Sequence, residues 1–479
     1  MNPVVLIIIS SVVVLFGAAL ISLRIGKKVK TKEDWAVGGR SLPIYVIIGS
    51  QYATVMGGGM LVAHVGIAYE NGWSALTYGI LLAAVFLVLT IIAKWLRSEK
   101  FTTTPDIIEK VYGKNKILTI ITILMTIIVP FGWICTQLVS FAKLYSSLTG
   151  FSVNVLIVVF AIISLAYVLP AGLASVAWTD FIFGCLMIVM SLISVIFVLK
   201  MGGGFDSIVN NVPKNIWKFP DSMTAAGVYT ITLWALAVLP GGVTNQTSYQ
   251  RIFAVDSVSK VRISLVVSAI AIFTGDIWAS FMGISIRSLN PNIAPEMAAG
   301  WFLTQVPVWF MAIYSGFLVA TIMSTIDSAV QSIVVNLTTD VYNKVLNKGK
   351  NDKKDDKKIL RLSRKLCVVV TFSAVCLSIF YPHALNWLVS TYAYSASALL
   401  SPIFLGYFLR NKKFLTSKGA IGSMICGILA CGLAQVMNSS IPYVFYGLIS
   451  SLLGLIIISY FTNREINSDM EVKKVSIEE

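Results

Sequence analysis

Thirteen apolar runs fill almost the whole 479-residue chain, at 4–23, 44–69, 73–96, 117–144, 151–169, 172–199, 225–249, 261–287, 301–339, 366–382, 385–409, 419–437 and 441–462. Each is close to or longer than the roughly 20 residues that a helix needs to cross a bilayer core. Lipid offers no partner for backbone N–H and C=O groups, so such runs must satisfy them internally as helices. The chain is therefore expected to be an all-α polytopic membrane protein. Its 12% of charged residues agrees, since soluble domains carry about 25%. No stretch between the runs is long and polar enough for a separate soluble domain. The ninth run exceeds one crossing and is expected to extend into the cytoplasm.

The net charge of +15 is concentrated in particular loops. Arg24, Lys27, Lys28, Lys30, Lys32 and Arg40 follow the first run, and Arg97, Lys100, Lys110, Lys114 and Lys116 follow the third. Ten Lys or Arg residues lie between Lys344 and Lys365, and Arg410, Lys412, Lys413 and Lys418 follow the eleventh run. The loops at 70–72, 145–150, 288–300, 383–384 and 438–440 contain neither residue. By the positive-inside rule the N-terminus lies outside and the C-terminus inside. Only the 200–224 loop, with Lys200, Lys214 and Lys218, departs mildly. This charge pattern is one of topology and excludes nucleic-acid binding. The Lys350–Lys358 run reads as a solvated cytoplasmic loop.

The cysteines (Cys135, Cys185, Cys367, Cys376, Cys426 and Cys431) lie within or at the edges of apolar runs without CxxC spacing, as small buried hydrophobes. Two histidines are too few for a zinc enzyme, and no nucleophile–base pair suggests other catalysis. The first run is long enough to be a true span, and no basic segment precedes it as in a signal peptide.

Against this background three carboxylates stand out. Asp180, Asp276 and Asp327 all lie inside apolar runs, where a charge costs at least roughly 2.5–3.5 kcal/mol. Such groups face protein interiors or watery paths and mark ion or substrate routes. Thr321, Ser324, Thr325 and Ser328 share one helical face around Asp327, and hydroxyl oxygens there suit a small hard cation. Hydroxyls bonding back to the preceding turn would give the same spacing. Asp180, after Trp178-Thr179, suits either a helix end or a functional acid. Asp276 suits either a protonated structural acid or a direct participant.

Gly57-Gly58-Gly59 lies midway along the second run, and each glycine costs a helix about 1 kcal/mol relative to alanine. Close helix packing could explain small residues, but three in a row favour an unwound segment. Broken helices of this kind build binding sites near the membrane midplane. His64, seven residues beyond Gly57, is either a packing residue or part of a solute pocket.

These residues occur within a set of motifs that resembles the solute:sodium symporter family over nearly the whole chain. The segment from Ala36 through Gly38-Gly39-Arg40-Ser41 to Pro43 is similar to the family's entry into its first core helix. Thr104-Pro105-Asp106, running on to Tyr112-Gly113, is similar to its following cytoplasmic loop. Gly172 through Trp178-Thr179-Asp180 resembles its GG-x-x-x-V-x-W-T-D segment, with Ala171 replacing the first glycine. Asn245-Gln246 with Gln250-Arg251, and Met323 through Ser328, resemble two further motifs.

The resemblance implies a LeuT-like core of two inverted five-helix repeats at 44–409. A leading helix at 4–23, two trailing helices at 419–462 and a cytoplasmic tail at 463–479 would complete it. It implies a sodium ion held by the carbonyls of Ala53, Met56 and Thr321 and the hydroxyls of Ser324 and Thr325. Asp180, Asp327 and Ser328 would form a second sodium site or a proton site. The solute would lie against Val55, Gly57, Gly58, Gly59, Met60, His64 and Asn245. Gly59 and Met60, where sugar carriers have polar side chains, and Thr247, where they have tyrosine, disfavour a sugar. Val55 replaces the acidic residue of the proline carriers. The expected activity is sodium-driven import of a small organic solute, such as an amino acid, organic acid or vitamin, by alternating access in the cytoplasmic membrane. A proton-coupled carrier and a non-catalytic transporter-like sensor are the alternatives.

Overall fold

The helices can be followed in a computed structural model that describes residues 3–27, 29–168, 172–346, 355–412 and 414–478. Ala171 and most of the basic 347–358 segment lie outside these residues, as do the side chains beyond 463. Among the described residues the structure is helical, without strands. Eleven helices among the described residues are long and apolar enough to cross a membrane, and two shorter apolar helices cover Ile44–Val55 and Val153–Leu165.

The leading helix α1 spans Pro3–Gly26. The second run divides into α2 (Ile44–Val55), a π-helical turn at Gly59–His64, and α3 (Val65–Asn71). Next come α4 (Ser74–Ser98), α5 (Thr104–Tyr112), α6 (Lys116–Thr126), α7 (Ile128–Thr149), α8 (Val153–Val168) and α9 (Leu173–Met201). The seventh run divides too, into α10 (Val228–Val243) and α11 (Gln246–Phe253). After these lie α12 (Val258–Leu289), α13 (Val308–Asn336), α14 (Asp355–Phe380), α15 (Ala384–Leu400), α16 (Ser417–Val436) and α17 (Tyr443–Glu478).

Besides the single-residue step at Ile127 between α6 and α7, two boundaries differ from the sequence expectation. The 225–249 run is not one helix, because Thr244 and Asn245 leave the helical path and the Asn245 side chain caps α11. The 301–339 run begins its long helix only at Val308, after Pro307; residues 301–305 belong to the separate short helix Ala298–Gln305. Proline fixes its own φ and disfavours helix in the residue before it, which explains that start.

The interruptions fall on the first and sixth membrane-crossing elements after α1, the leading element of each five-helix half. That is the arrangement of an inverted-repeat transporter. Around them α9 packs on α2, α12 on α3 and α4, α13 on α1 and α7, and α10 on α15. The lipid-facing side of α1 exposes Val12, Val13 and Phe16, whereas α13 is buried along most of its length.

Small residues allow the closest approaches. A side chain on Gly241 of α10 would run into the Tyr392 backbone of α15. Gly241→Ala should therefore destabilise the protein by about 1–3 kcal/mol, the usual cost of overpacking. Thermal unfolding in detergent measures this; an unchanged midpoint would show that α10 and α15 are not so tightly apposed.

Candidate functional site

Glycine at positions 57 and 58 lets the unwound segment press against α7 and α13. Met56 and Gly57 form a bend after Val55. A Cβ on Gly57 would collide with Thr325 Oγ1 and come within 3.0 Å of Gln137 Oε1. On Gly58 it would meet Ser140 and Gln137. The Gly58 N–H, deprived of a helical acceptor, donates to Gln137 Oε1 at 2.5 Å. Thr325 Oγ1 donates to the Thr54 carbonyl at 3.0 Å. The break thus exchanges intrahelical bonds for bonds to neighbouring helices, which is how non-helical backbone persists at membrane depth.

This apposition brings together the end of α2 and the middle of α13. Ala53 belongs to the last turn of α2, whose carbonyls have no following turn to bond, and Met56 follows immediately. Opposite them, Ser324 Oγ donates to the Thr321 carbonyl at 2.8 Å. The Ser324 and Thr325 hydroxyls each spend their single proton on a carbonyl, leaving oxygen lone pairs as acceptors. All five residues are buried. The local chemistry is oxygen-rich and buried, of the donor type that small hard cations accept.

Beside it, Val55, Gly59, Met60 and His64 line a cavity with Trp133 and Tyr392. Its volume is about 30 Å³, room for about one water. A wider depression of about 670 Å³, lined by Glu70, Lys143, Glu296 and His383 among others, shares Ala63, Ile67 and Leu385 with it. Those three apolar residues are all that the two spaces have in common, so they separate the inner cavity from the wider vestibule.

At the opposite end polar contacts seal the molecule. Lys344 contacts Asp106 at 2.6 Å, Asp340 at 2.8 Å and Glu109 at 3.4 Å. Burial lowers the pKa of the Lys344 ammonium, but Asp340 and Asp106 outweigh it and hold the group above the usual lysine value. Arg40 donates to the Phe101 and Lys100 carbonyls at 2.9 Å. Gln246 Oε1 accepts from the Thr104 amide and hydroxyl at 2.8 and 2.6 Å. Together they tie α5 and its loop to α11 and the end of α13.

The three membrane carboxylates meet different fates. Asp180 Oδ2 accepts from Ser50 at 2.7 Å and pairs with Arg251 Nη2 at 3.2 Å. Ser328 lies 3.4 Å from the same oxygen. Asp276 lies 3.7 Å from His64 Nδ1, and neither group has a hydrogen-bond partner among the described residues. Asp327 is fully buried with both oxygens unpartnered, so it does not join Asp180 and Ser328 in a shared hydrogen-bond network. Asn245 spends its Oδ1 on the Thr247 amide at 3.0 Å and does not line the inner cavity.

Sequence reasoning had noticed Arg251 only within a motif. Ser50, Thr54, Gln137, Trp133 and Tyr392 were not singled out, because ordinary hydroxyl, amide and aromatic residues carry no signal until their partners are known.

Comparison with known proteins establishes the family and the fold. Residues 35–427 match the model of the Sodium:solute symporter family. The chain belongs to that family. It is a multi-pass membrane transporter and not an enzyme. The sodium/proline symporter of Escherichia coli (strain K12) is 24% identical over 436 residues, covering 87% of this chain and 85% of the relative. That of Staphylococcus aureus is 25% identical over 305 residues, 61% of this chain and 58% of the relative. Among solved structures, a Na+-coupled sialic acid symporter in a substrate-bound outward-open state superposes with a TM-score of 0.77. It is 20% identical, and the match covers 95% of this chain and 97% of that one. Mhp1, a nucleobase-cation-symport-1 family transporter, gives a TM-score of 0.58 at 14% identity, covering 91% and 95%. The LeuT-like fold implied by the motifs is therefore the fold of this symporter.

Gln137→Leu should leave the buried Gly58 amide without an acceptor and lower stability by about 1–3 kcal/mol. Thermal unfolding of the purified variant measures the loss. An unfolding midpoint equal to that of the unmodified protein would mean that another acceptor takes over and that Gln137 does not support the break.

Proposed function

We propose that this symporter imports a small organic solute across the cytoplasmic membrane with one sodium ion at the contact between α2 and α13. The carbonyls of Ala53, Met56 and Thr321 and the hydroxyls of Ser324 and Thr325 are its ligands. The single observation that carries this reading is the seating of Gly57 directly against Thr325. It supports the reading because the carbonyl end of a broken helix then meets the hydroxyl-bearing face of an intact one.

The solute binds beyond the glycines, against Val55, Met60 and His64, with Trp133 and Tyr392 supplying aromatic faces. The cavity must widen to admit any organic solute, and Ala63, Ile67 and Leu385 are the gate that moves. With the N-terminus outside and the C-terminus inside, the vestibule faces outward, while Lys344, Arg40 and Gln246 close the cytoplasmic end. Sodium binding pulls α2 and α13 together, and closure over the solute then allows that inner seal to open. A sodium ion entering down a potential of about 100 mV supplies about 2.3 kcal/mol, enough to accumulate a solute tens-fold.

A second reading, proton coupling, draws on the unpartnered Asp276 beside His64. It requires uptake driven by a pH gradient in sodium-free buffer.

Proteoliposome uptake tests the primary reading, starting with proline and sialic acid as solutes and extending to other amino acids, organic acids and vitamins. Ser324→Ala combined with Thr325→Ala should abolish sodium stimulation, lowering uptake at least about tenfold, the effect of losing about 1.4 kcal/mol of ion binding. Without sodium the unfolding midpoint should fall, because the buried Thr54 carbonyl loses its donor at a cost of about 1–3 kcal/mol. The decisive readout is therefore the sodium-induced change in uptake, which the double variant should lack. Sodium-dependent uptake that survives the double substitution would remove the ion from this site.

A further inference from the structure

We infer that Arg251 is a tethered cation that fills the second cation position of this transporter, so that a single sodium ion binds. The inference rests on the sodium reading above and concerns a different cluster of residues.

Four side-chain oxygens converge where α2, α9 and α13 meet. They are Ser50 Oγ and Thr54 Oγ1 from α2, Asp180 Oδ2 from α9 and Ser328 Oγ from α13. Three hydroxyls and a carboxylate form the oxygen donor set that hard cations prefer. Ser50 and Thr54 lie 2.7 and 3.3 Å from Asp180 Oδ2, and Thr54 lies 3.3 Å from Ser328. The resemblance to sodium symporters had suggested a second sodium or a proton for Asp180 and Ser328.

The structure puts a guanidinium nitrogen there instead. Arg251 Nη2 lies 2.7 Å from Thr54 Oγ1, 2.7 Å from Ser328 Oγ and 3.2 Å from Asp180 Oδ2. Its Nε donates to Ser50 Oγ at 2.9 Å and its Nη1 to the Thr247 carbonyl at 3.0 Å. Every guanidinium nitrogen is therefore engaged, and Arg251 is only 2% exposed. A sodium ion bound by the same oxygens would overlap Nη2 and place two positive charges against one carboxylate. Arginine also keeps its proton at any physiological pH, so this cation cannot leave by deprotonation.

The guanidinium is attached to α11, the half-helix that follows the second chain break, and it reaches α2, which precedes the first. One side chain thus links the two interrupted helices and one aspartate. A free ion would have to be captured from solution in each cycle, whereas this charge is always present. Arg251 acts as a positioning residue that holds α2, α9 and α13 together, and its substitution should expose the latent ion site.

Equilibrium binding of radioactive sodium to the purified full-length protein decides the matter without knowledge of the solute. The unmodified protein should bind one ion with a Hill slope of unity. Asp180→Asn should still bind one, because Asp180 serves the guanidinium. Arg251→Ala should bind two, because sodium can then enter among Ser50, Thr54, Asp180 and Ser328. Two ions on the unmodified protein, or loss of its single ion in Asp180→Asn, would overturn the assignment. If the substituted proteins do not fold, the count for the unmodified protein still decides, since two ions there overturn the assignment. No bound ion on the unmodified protein would overturn the sodium reading itself, and this inference with it.

Discussion

The interruption of the second membrane helix at Met56 and Gly57 is the constraint from which the rest of the site follows. Hydrocarbon cannot solvate the backbone groups that a broken helix releases, so the break exists only where other helices supply partners. Gln137 supplies one to Gly58, and Thr325 supplies one to Thr54. Both contacts require glycine at 57 and 58, since any side chain there would hold α7 and α13 away. The same closeness that satisfies the backbone sets the carbonyl end of α2 against the hydroxyl-bearing face of α13. The inner cavity adjoins the same break and is lined in part by Gln137 and Thr325 themselves.

Charge in the interior follows a second rule, that a buried ion needs a partner or must give up its charge. Asp180 has Arg251, and α2, α9, α11 and α13 are joined through that pair. Among the described residues Asp276 has only His64 at ion-pair distance, and Asp327 has no hydrogen-bond partner. Breaking a buried pair by removing one member commonly costs about 3–5 kcal/mol, so the Asp180–Arg251 pair is a strong restraint on relative helix movement. The Lys344 cluster, at the end of the molecule opposite the vestibule, is of another kind. It is partly exposed and closes by long side chains, and it can open without moving charge into lipid.

Much of this was readable in the sequence. Each apolar run has a helix, because bilayer length and hydropathy are local properties. Gly57-Gly58-Gly59 announced the first break, because three glycines have no good helical use. The second break was less visible. Its signals were Pro240-Gly241-Gly242 and an asparagine able to cap a new helix, all within a run that reads as continuously apolar. The Asp180 network was legible only in part. Asp180 and Ser328 stood out as polar residues in apolar runs, but Arg251 sits near the end of its run, where a basic residue reads as an interfacial one. Its burial depends on contacts with residues 71 to 201 positions away in the chain, from Asp180 to Ser50. Hydropathy carries no trace of such pairings.

Thermal unfolding of the purified protein in sodium against potassium, at equal ionic strength, tests the central claim most directly. An ion that binds the folded state stabilises it by RT ln(1 + [L]/Kd), about 2.7 kcal/mol at one hundred times Kd. The account predicts a saturable rise in unfolding midpoint with sodium, absent in potassium and absent when Ser324 and Thr325 are both alanine. Equal midpoints in the two salts across the full concentration range would contradict it, and the contact between the broken helix and α13 would then not be a sodium site.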